Sequence, residues 1–192
     1  SQRLYLARTA SRVSGLERRV TALLSLSRLE SRQAKGDFQR LDLRDVVKDS
    51  IQGLSSRAEK KGLRLEVEVP QDPLEIFGDQ EALRQLVDNL LSNAINYTNT
   101  GAWVSVRARG ADEQVFLEVE DSGVGIAAPD LDRVFERFFR VDKARSRELG
   151  GTGLGLAIVK HVARSHSGEV SVKSKLGVGS SFEVRLPRAP TR

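Results

Sequence analysis

Apolar residues recur along this chain with two different periods. Over residues 2–33, which hold no proline and one glycine, Val13, Leu16, Val20 and Leu23 follow one another at spacings of three, four and three. Leu24, Leu26 and Leu29 extend the run. This heptad-like seam predicts a long N-terminal helix with one apolar stripe, which another helix or a second copy must cover. The stretch "QAKGDFQRLDL" breaks the pattern, so the boundary between a helix over 1–35 and a globular domain over 36–192 is expected near Lys35 to Leu41. From Asp42, a good N-cap, Leu43, Val46, Val47, Ile51, Leu54 and Ala58 predict an amphipathic helix ending before Gly62. A second helix, capped by Asp79, aligns Leu83, Leu86, Val87, Leu90, Leu91, Ala94 and Ile95.

Elsewhere the period is two. "LRLEVEVP" places Leu63, Leu65, Val67 and Val69 on one face and predicts a half-buried strand, with a short strand "LEIF" after it. "AWVSVRARG" and "QVFLEVED" predict an antiparallel pair, and "GEVSVKSK" with "SSFEVRLP" a closing hairpin. A helix over about Leu154 to Ser165 precedes that hairpin. Helices interspersed with mainly antiparallel strand pairs predict an α+β fold, a two-layer sandwich whose mixed sheet carries its helices on one face.

At 192 residues, with 39% hydrophobic and 30% charged positions, the chain has room for one ordinary domain plus an appendage. It lacks cysteine, which excludes a disulfide framework and thiolate metal sites and suits a reducing cytoplasm. Nowhere does an apolar run approach the roughly 18 to 20 residues that cross a bilayer. A cytoplasmic location is expected, with membrane contact only through parts of a longer parent. Residues 1–36 hold Arg3, Arg8, Arg12, Arg18, Arg19, Arg28, Arg32 and Lys35 against Glu17 and Glu30, a net of +6, so the rest of the chain, whose total is +5, is close to neutral. Few aromatics are interleaved for base stacking, so no nucleic-acid partner is expected; a solvated helix face or an acidic protein partner fits.

Three stretches carry candidate chemistry. "DNLLSNAINY" places Asn89 and Asn93 at i and i+4, where two amide oxygens can offer a hard, neutral ligand set to Mg²⁺; alone, the pair also fits exposed amides. In "EDSGVGIAAPD", Asp121 ends a strand, and Gly123 and Gly125 let backbone approach a flat ligand closely. A buried carboxylate there can accept from an exocyclic amine such as adenine's, although an ordinary Asx turn fits equally. "GGTGLGLAIVKH" opens a helix with Gly151, Gly153 and Gly155, an arrangement that grips phosphate through N–H groups and the helix dipole. Neither G-x-G-x-x-G nor Gly-Lys-Ser/Thr is present, which excludes the usual dinucleotide and Walker-type loops.

Taken in order, "DNLLSNAINYT", "DSGVGI", "RVFERFFRVDKARS" and "GGTGLGLAIVK" resemble the N, G1, F and G2 boxes of bacterial sensor histidine kinases of two-component systems. "VTALLSLSRLES" resembles the second helix of their dimerisation and phosphotransfer hairpin. The resemblance spans residues 11 to 187 and implies the Bergerat fold of the GHKL superfamily, with ATP and Mg²⁺ as cofactors. It implies that Asp121 holds the adenine amine, that Gly123 and Gly125 shape the base pocket, and that Ser180 helps fix adenine through water. Asn93, with Asn89, is implied to bind Mg²⁺, Tyr97 to line the phosphate side, and Gly151, Thr152, Gly153, Leu154 and Gly155 to form the lid hinge and phosphate-holding helix start. Arg140 and Lys143 are implied to reach the terminal phosphate, Phe135, Phe138 and Phe139 to pack a lid over Val141 to Leu149 that also carries Arg145 and Arg147.

Two departures stand out. Members often have a basic residue where this chain has Asn96, and a phosphoacceptor histidine is expected on a helix upstream of residue 1, so His161 and His166 read as structural or surface residues. The resemblance then implies the kinase's ATP-binding portion, passing the γ-phosphate to that upstream histidine for relay to a response-regulator aspartate, and a homodimer through the N-terminal helix. Two alternatives stay open: a non-catalytic adenine-nucleotide-binding module, and a GHKL-type ATPase.

Overall fold

Two aspartates start the two 18-residue helices among the described residues. The computed structural model describes Val20, Leu24, residues 38–141 and residues 151–190. In it Asp42 adopts extended backbone and accepts from Arg44 N–H at 3.0 Å, opening helix α1, Leu43–Lys60. Asp79 does the same for α2, Gln80–Tyr97, its Oδ1 accepting from the N–H groups of Glu81 (2.9 Å) and Ala82 (3.1 Å). Each cap satisfies N–H groups that have no partner within the helix, an effect of about 1 kcal/mol. A third helix, α3, spans Gly155–Ser165.

Among the described residues seven strands accompany them: β1 Gln39–Asp42, β2 Arg64–Glu68, β3 Glu75–Gly78, β4 Trp103–Ala111, β5 Gln114–Asp121, β6 Glu169–Lys175 and β7 Gly179–Pro187. Five form one sheet in the order β2-β4-β5-β7-β6, with β2 parallel to β4 and every other neighbour antiparallel. Both expected strand pairs, β4 with β5 and β6 with β7, are hydrogen-bonded neighbours. On central β5, Val115, Leu117 and Val119 are buried while Phe116, Glu118 and Glu120 are partly exposed. The buried face joins Leu83, Leu86, Val87, Leu90 and Leu91 of α2 in one core, each fully buried side chain contributing roughly 1.5–3 kcal/mol. The other face is polar: Arg107 pairs with Glu118 (3.1 Å) and Glu120, and Ser181 Oγ donates to Glu118 at 2.6 Å.

The structure differs from the sequence reading in two places. Gln39–Leu41, inside the stretch read as a boundary, belong to β1, which pairs antiparallel with β3 in a separate two-stranded sheet. Four residues are too few to show a period. In β2 only Leu65 is half-buried and Val67 is 41% exposed, because β2 lies at the edge of the sheet. Of the N-terminal seam, Val20 and Leu24 are helical and exposed; Val13, Leu16, Leu23, Leu26 and Leu29 lie outside the described residues.

His166, read as structural or surface, is buried at the end of α3. Its Nε2 accepts from Asp79 N–H at 3.0 Å, its Nδ1 lies 2.8 Å from the Val162 carbonyl, and its ring stacks on Phe38 at 4.6 Å between centroids. The two bonds require a neutral ring protonated on Nδ1. Burial pushes its pKa below the ordinary value, although the Val162 carbonyl opposes the shift.

Candidate nucleotide site

Asp121 is the last residue of central β5 and is 6% exposed. It stands opposite Val104 on one side and Ser180 on the other. Its Oδ1 accepts from Gly123 N–H at 2.8 Å, and the Ser180 N–H also donates to the carboxylate. Burial nevertheless wins and pushes the carboxyl up to about 6, with the Glu120 charge adding to the rise. Without a ligand this group is therefore half-protonated near pH 6, and desolvation is the reason.

The turn after Asp121 is tied on three sides. Val124 N–H donates to the Tyr97 carbonyl at 3.2 Å, fixing the turn to the end of α2, and Gly177 N–H donates to the Val124 carbonyl at 2.7 Å. Ile126 N–H donates to Ser174 Oγ at 2.8 Å. Gly125 has φ +67°, and a Cβ there would overlap the Lys175 carbonyl, so only glycine fits between turn and hairpin. Ser174 Oγ in turn donates to the Gly179 carbonyl at 2.7 Å and lies 3.0 Å from Ser180 Oγ. Asp121, Gly123, Gly125, Tyr97 and Ser180 are thus brought together where α2, the turn and the β6–β7 hairpin meet.

On α2, Asn89, Asn93 and Asn96 follow at i, i+4 and i+7, hence along one face, and all three are half-buried. Asn89 Nδ2 donates to the Gln85 carbonyl at 2.8 Å, which leaves its Oδ1 as the ligating atom. That oxygen faces the start of α3, where a Cβ on Gly155 would stand 2.9 Å from it. The G2 glycine and the N-box asparagine therefore touch across the two helices. Asn96, at the far end of the stripe, accepts from Arg57 Nη2 on α1.

At the entrance to α3, Leu154 is fully buried and the helix has no side-chain cap, although Thr152 Oγ1 accepts from Leu154 N–H at 3.3 Å. The N–H groups of the first turn thus lack side-chain partners, the condition that favours an anion. Gly153 C=O accepts from Phe138 N–H at 2.8 Å, joining the glycine segment to the F box, while Gly151 is half-buried. Phe135 packs edge-on against Phe182, 6.3 Å between centroids, and so joins the edge of the sheet core. Phe139 lies under Arg133, Phe138 is 52% exposed and Arg140 is half-buried. Lys143, Arg145, Arg147 and the rest of 142–150 lie outside the described residues.

Two participants escaped the sequence reading. Ser174 links turn to hairpin, but a serine in an alternating strand carries no signal for that. Arg57 meets Asn96 across 39 residues, and only its place on the polar face of α1 could have been read. Among the described residues no group of three His, Cys, Asp or Glu is placed to hold a metal ion.

Residues 78–190 match the family described as histidine kinase-, DNA gyrase B-, and HSP90-like ATPase. The sensor-like histidine kinase SenX3 of Mycolicibacterium smegmatis is 41% identical over 168 residues, covering 88% of this chain and 44% of that protein. The sensor histidine kinase RppB of Synechocystis is 37% identical over 172 residues, covering 90% and 38%. The chain thus spans less than half the length of these relatives. Among solved structures, the mycobacterial sensor histidine kinase MprB superposes with a TM-score of 0.69 at 31% identity, over 80% of this chain and 99% of that one. Full-length ShkA, in complex with AMPPNP, gives 0.79 at 28% identity, over 99% and 39%.

Proposed function

We propose, from the premise that the chain belongs to the family of histidine kinase-, DNA gyrase B- and HSP90-like ATPases, that it is the ATP-binding catalytic portion of a sensor histidine kinase in two-component signalling. The γ-phosphate passes to a histidine on the first helix of a hairpin whose second helix lies within residues 1–35, and from there to a response-regulator aspartate. One observation carries the reading: a buried carboxylate, Asp121, ends the central strand beside a turn pinned to helix and hairpin. Ionised, it accepts the exocyclic amine of adenine, a charge-assisted bond of about 1.5–3 kcal/mol. Gly123 and Gly125 bring backbone to the base, and Ser180 fixes it through water.

The phosphates extend from that pocket past Tyr97 toward the start of α3, where the N–H groups after Gly151, Thr152, Gly153 and Leu154 face them. Asn89 and Asn93 fit Mg²⁺, since Asn89 turns its amide oxygen away from its own helix and both offer neutral oxygen donors. When bound, the ion neutralises phosphate charge that otherwise opposes attack. Arg140 and Lys143 steady the terminal phosphate, and positioning supplies most of the rate. Two copies pair through the N-terminal helix, a receiver domain is the partner, and the site works in the cytoplasm. No described helix is long and apolar enough to cross a membrane.

Radioactive γ-phosphate tests this reading. With a separately supplied phosphoacceptor hairpin, label should appear on its histidine. Steady phosphate release without transfer would instead support an ATPase, and binding with neither outcome a regulatory module.

A further inference from the structure

We propose that Arg57 of α1, outside every motif of the site, is a phosphate-binding side chain whose guanidinium Asn96 holds at the end of the asparagine stripe; this deepens the nucleotide reading above and rests on it. Asn89, Asn93 and Asn96 share one face of α2, and all are neutral. The last turn of α2 has no basic residue, so nothing in that turn opposes either the negative end of the helix dipole or the charge of a triphosphate.

The neighbouring helix supplies what α2 lacks. α1 ends beside the end of α2, and its last turn carries Arg57 and Lys60. Just beyond, Lys61 Nζ donates to the carbonyls of Ile95 (2.5 Å) and Asn96 (2.8 Å), which commits that ammonium to the exposed carbonyl end of α2. Arg57 is placed differently. One Nη2 donates to the Asn96 side-chain oxygen, the guanidinium is exposed, and among the described residues it enters no ion pair. A guanidinium has five N–H donors in a planar fork, so donors remain for phosphate oxygens while Asn96 limits its rotation. Asn96 is on this account a positioning residue. An asparagine there is useful because the charge arrives from the adjacent helix.

Competition against a fluorescent nucleotide tests the assignment, with MgATP and adenosine as the two ligands. Arg57→Ala should weaken MgATP about tenfold, the equivalent of one modest charged contact, and leave adenosine unchanged. Its affinity should also fall less steeply with salt than that of the unmutated chain. Adding Asn96→Lys to Arg57→Ala returns a cation to the same end of the stripe and should restore most of the MgATP affinity. Unchanged MgATP binding in Arg57→Ala, or equal weakening of both ligands, would overturn the proposal. If the unmutated chain bound neither ligand, the nucleotide reading would fall and Arg57 with it; adenosine binding alongside an indifferent Arg57→Ala would remove Arg57 alone.

Discussion

Replacing Asp121 by asparagine should make the empty protein more stable and the nucleotide site worse. The carboxyl titrates at about 6 in the folded chain against an ordinary value of 3.8. Each unit is 1.36 kcal/mol, so keeping Asp121 ionised costs about 3 kcal/mol of folding stability above pH 7. The sign follows from the direction of the shift. A folded-state pKa raised above the unfolded value gives stability that is whole below pH 4 and is lost as pH rises through 6. The substituted amide would keep an oxygen for Gly123 N–H and has no charge to bury, so the gap between the two proteins should open over pH 4 to 7. At 2–4 °C per kcal/mol for a chain of this size, Asp121→Asn should melt up to about 10 °C higher at pH 8 and with little difference at pH 4. Nucleotide affinity should fall ten- to a hundredfold, since the amide loses the charged acceptor. In the unmutated chain that affinity should itself decline about tenfold per unit below pH 6. Thermal melts across pH, paired with calorimetric titration of ADP, provide both readouts. A melting difference that does not change with pH would refute the reasoning, because Asp121 would then not be the group that burial holds back from ionising.

Asn93→Ala should abolish phosphotransfer to a supplied hairpin while retaining most ADP binding in the absence of Mg²⁺; equal transfer rates would move the metal elsewhere. Gly155→Ala puts a methyl group 2.9 Å from Asn89 Oδ1, and should weaken MgATP several-fold with a smaller effect on adenosine. His166→Ala strands the Asp79 N–H and empties the space beside Phe38, which should cost roughly 2–4 kcal/mol in urea unfolding. Because burial depresses the His166 pKa, its contribution in the unmutated chain is present above about pH 6.5 and declines as pH falls, and in His166→Ala that part of the acid sensitivity should vanish. Leu16→Asp with Leu23→Asp should convert a self-associating chain to monomers by sedimentation without altering nucleotide affinity.

The parts of the fold that were legible share one property, a local cause. Asp42 and Asp79 cap helices because the N–H groups they satisfy lie two or three residues away, and the alternation in "QVFLEVED" mirrors the burial of Val115, Leu117 and Val119. Asp121 was legible as a strand end beside glycines, but its raised pKa arises from packing over the whole strand. β1 was illegible since four residues gain their structure from β3, more than thirty positions away. Arg57 reaches Asn96 only because α1 and α2 end side by side, and the partner of Phe135, Phe182, sits on the last strand, where no local pattern could announce it. Motif order identified the family; it could not say which neighbour each motif residue touches.

Phe38, just before β1, leans on the ring that accepts from the first capping residue of α2. The chain's entry and the start of the asparagine helix are thus clamped to the same imidazole. An 18-residue helix is a stiff rod about 27 Å long, and its far end carries Asn93, Asn96 and Tyr97. Because α2 is buried at Leu83, Leu86, Leu90, Leu91 and Ile95 along its length, the cap at Asp79 and the asparagine stripe belong to one rigid element, and the Phe38–His166 contact holds that element at its first turn.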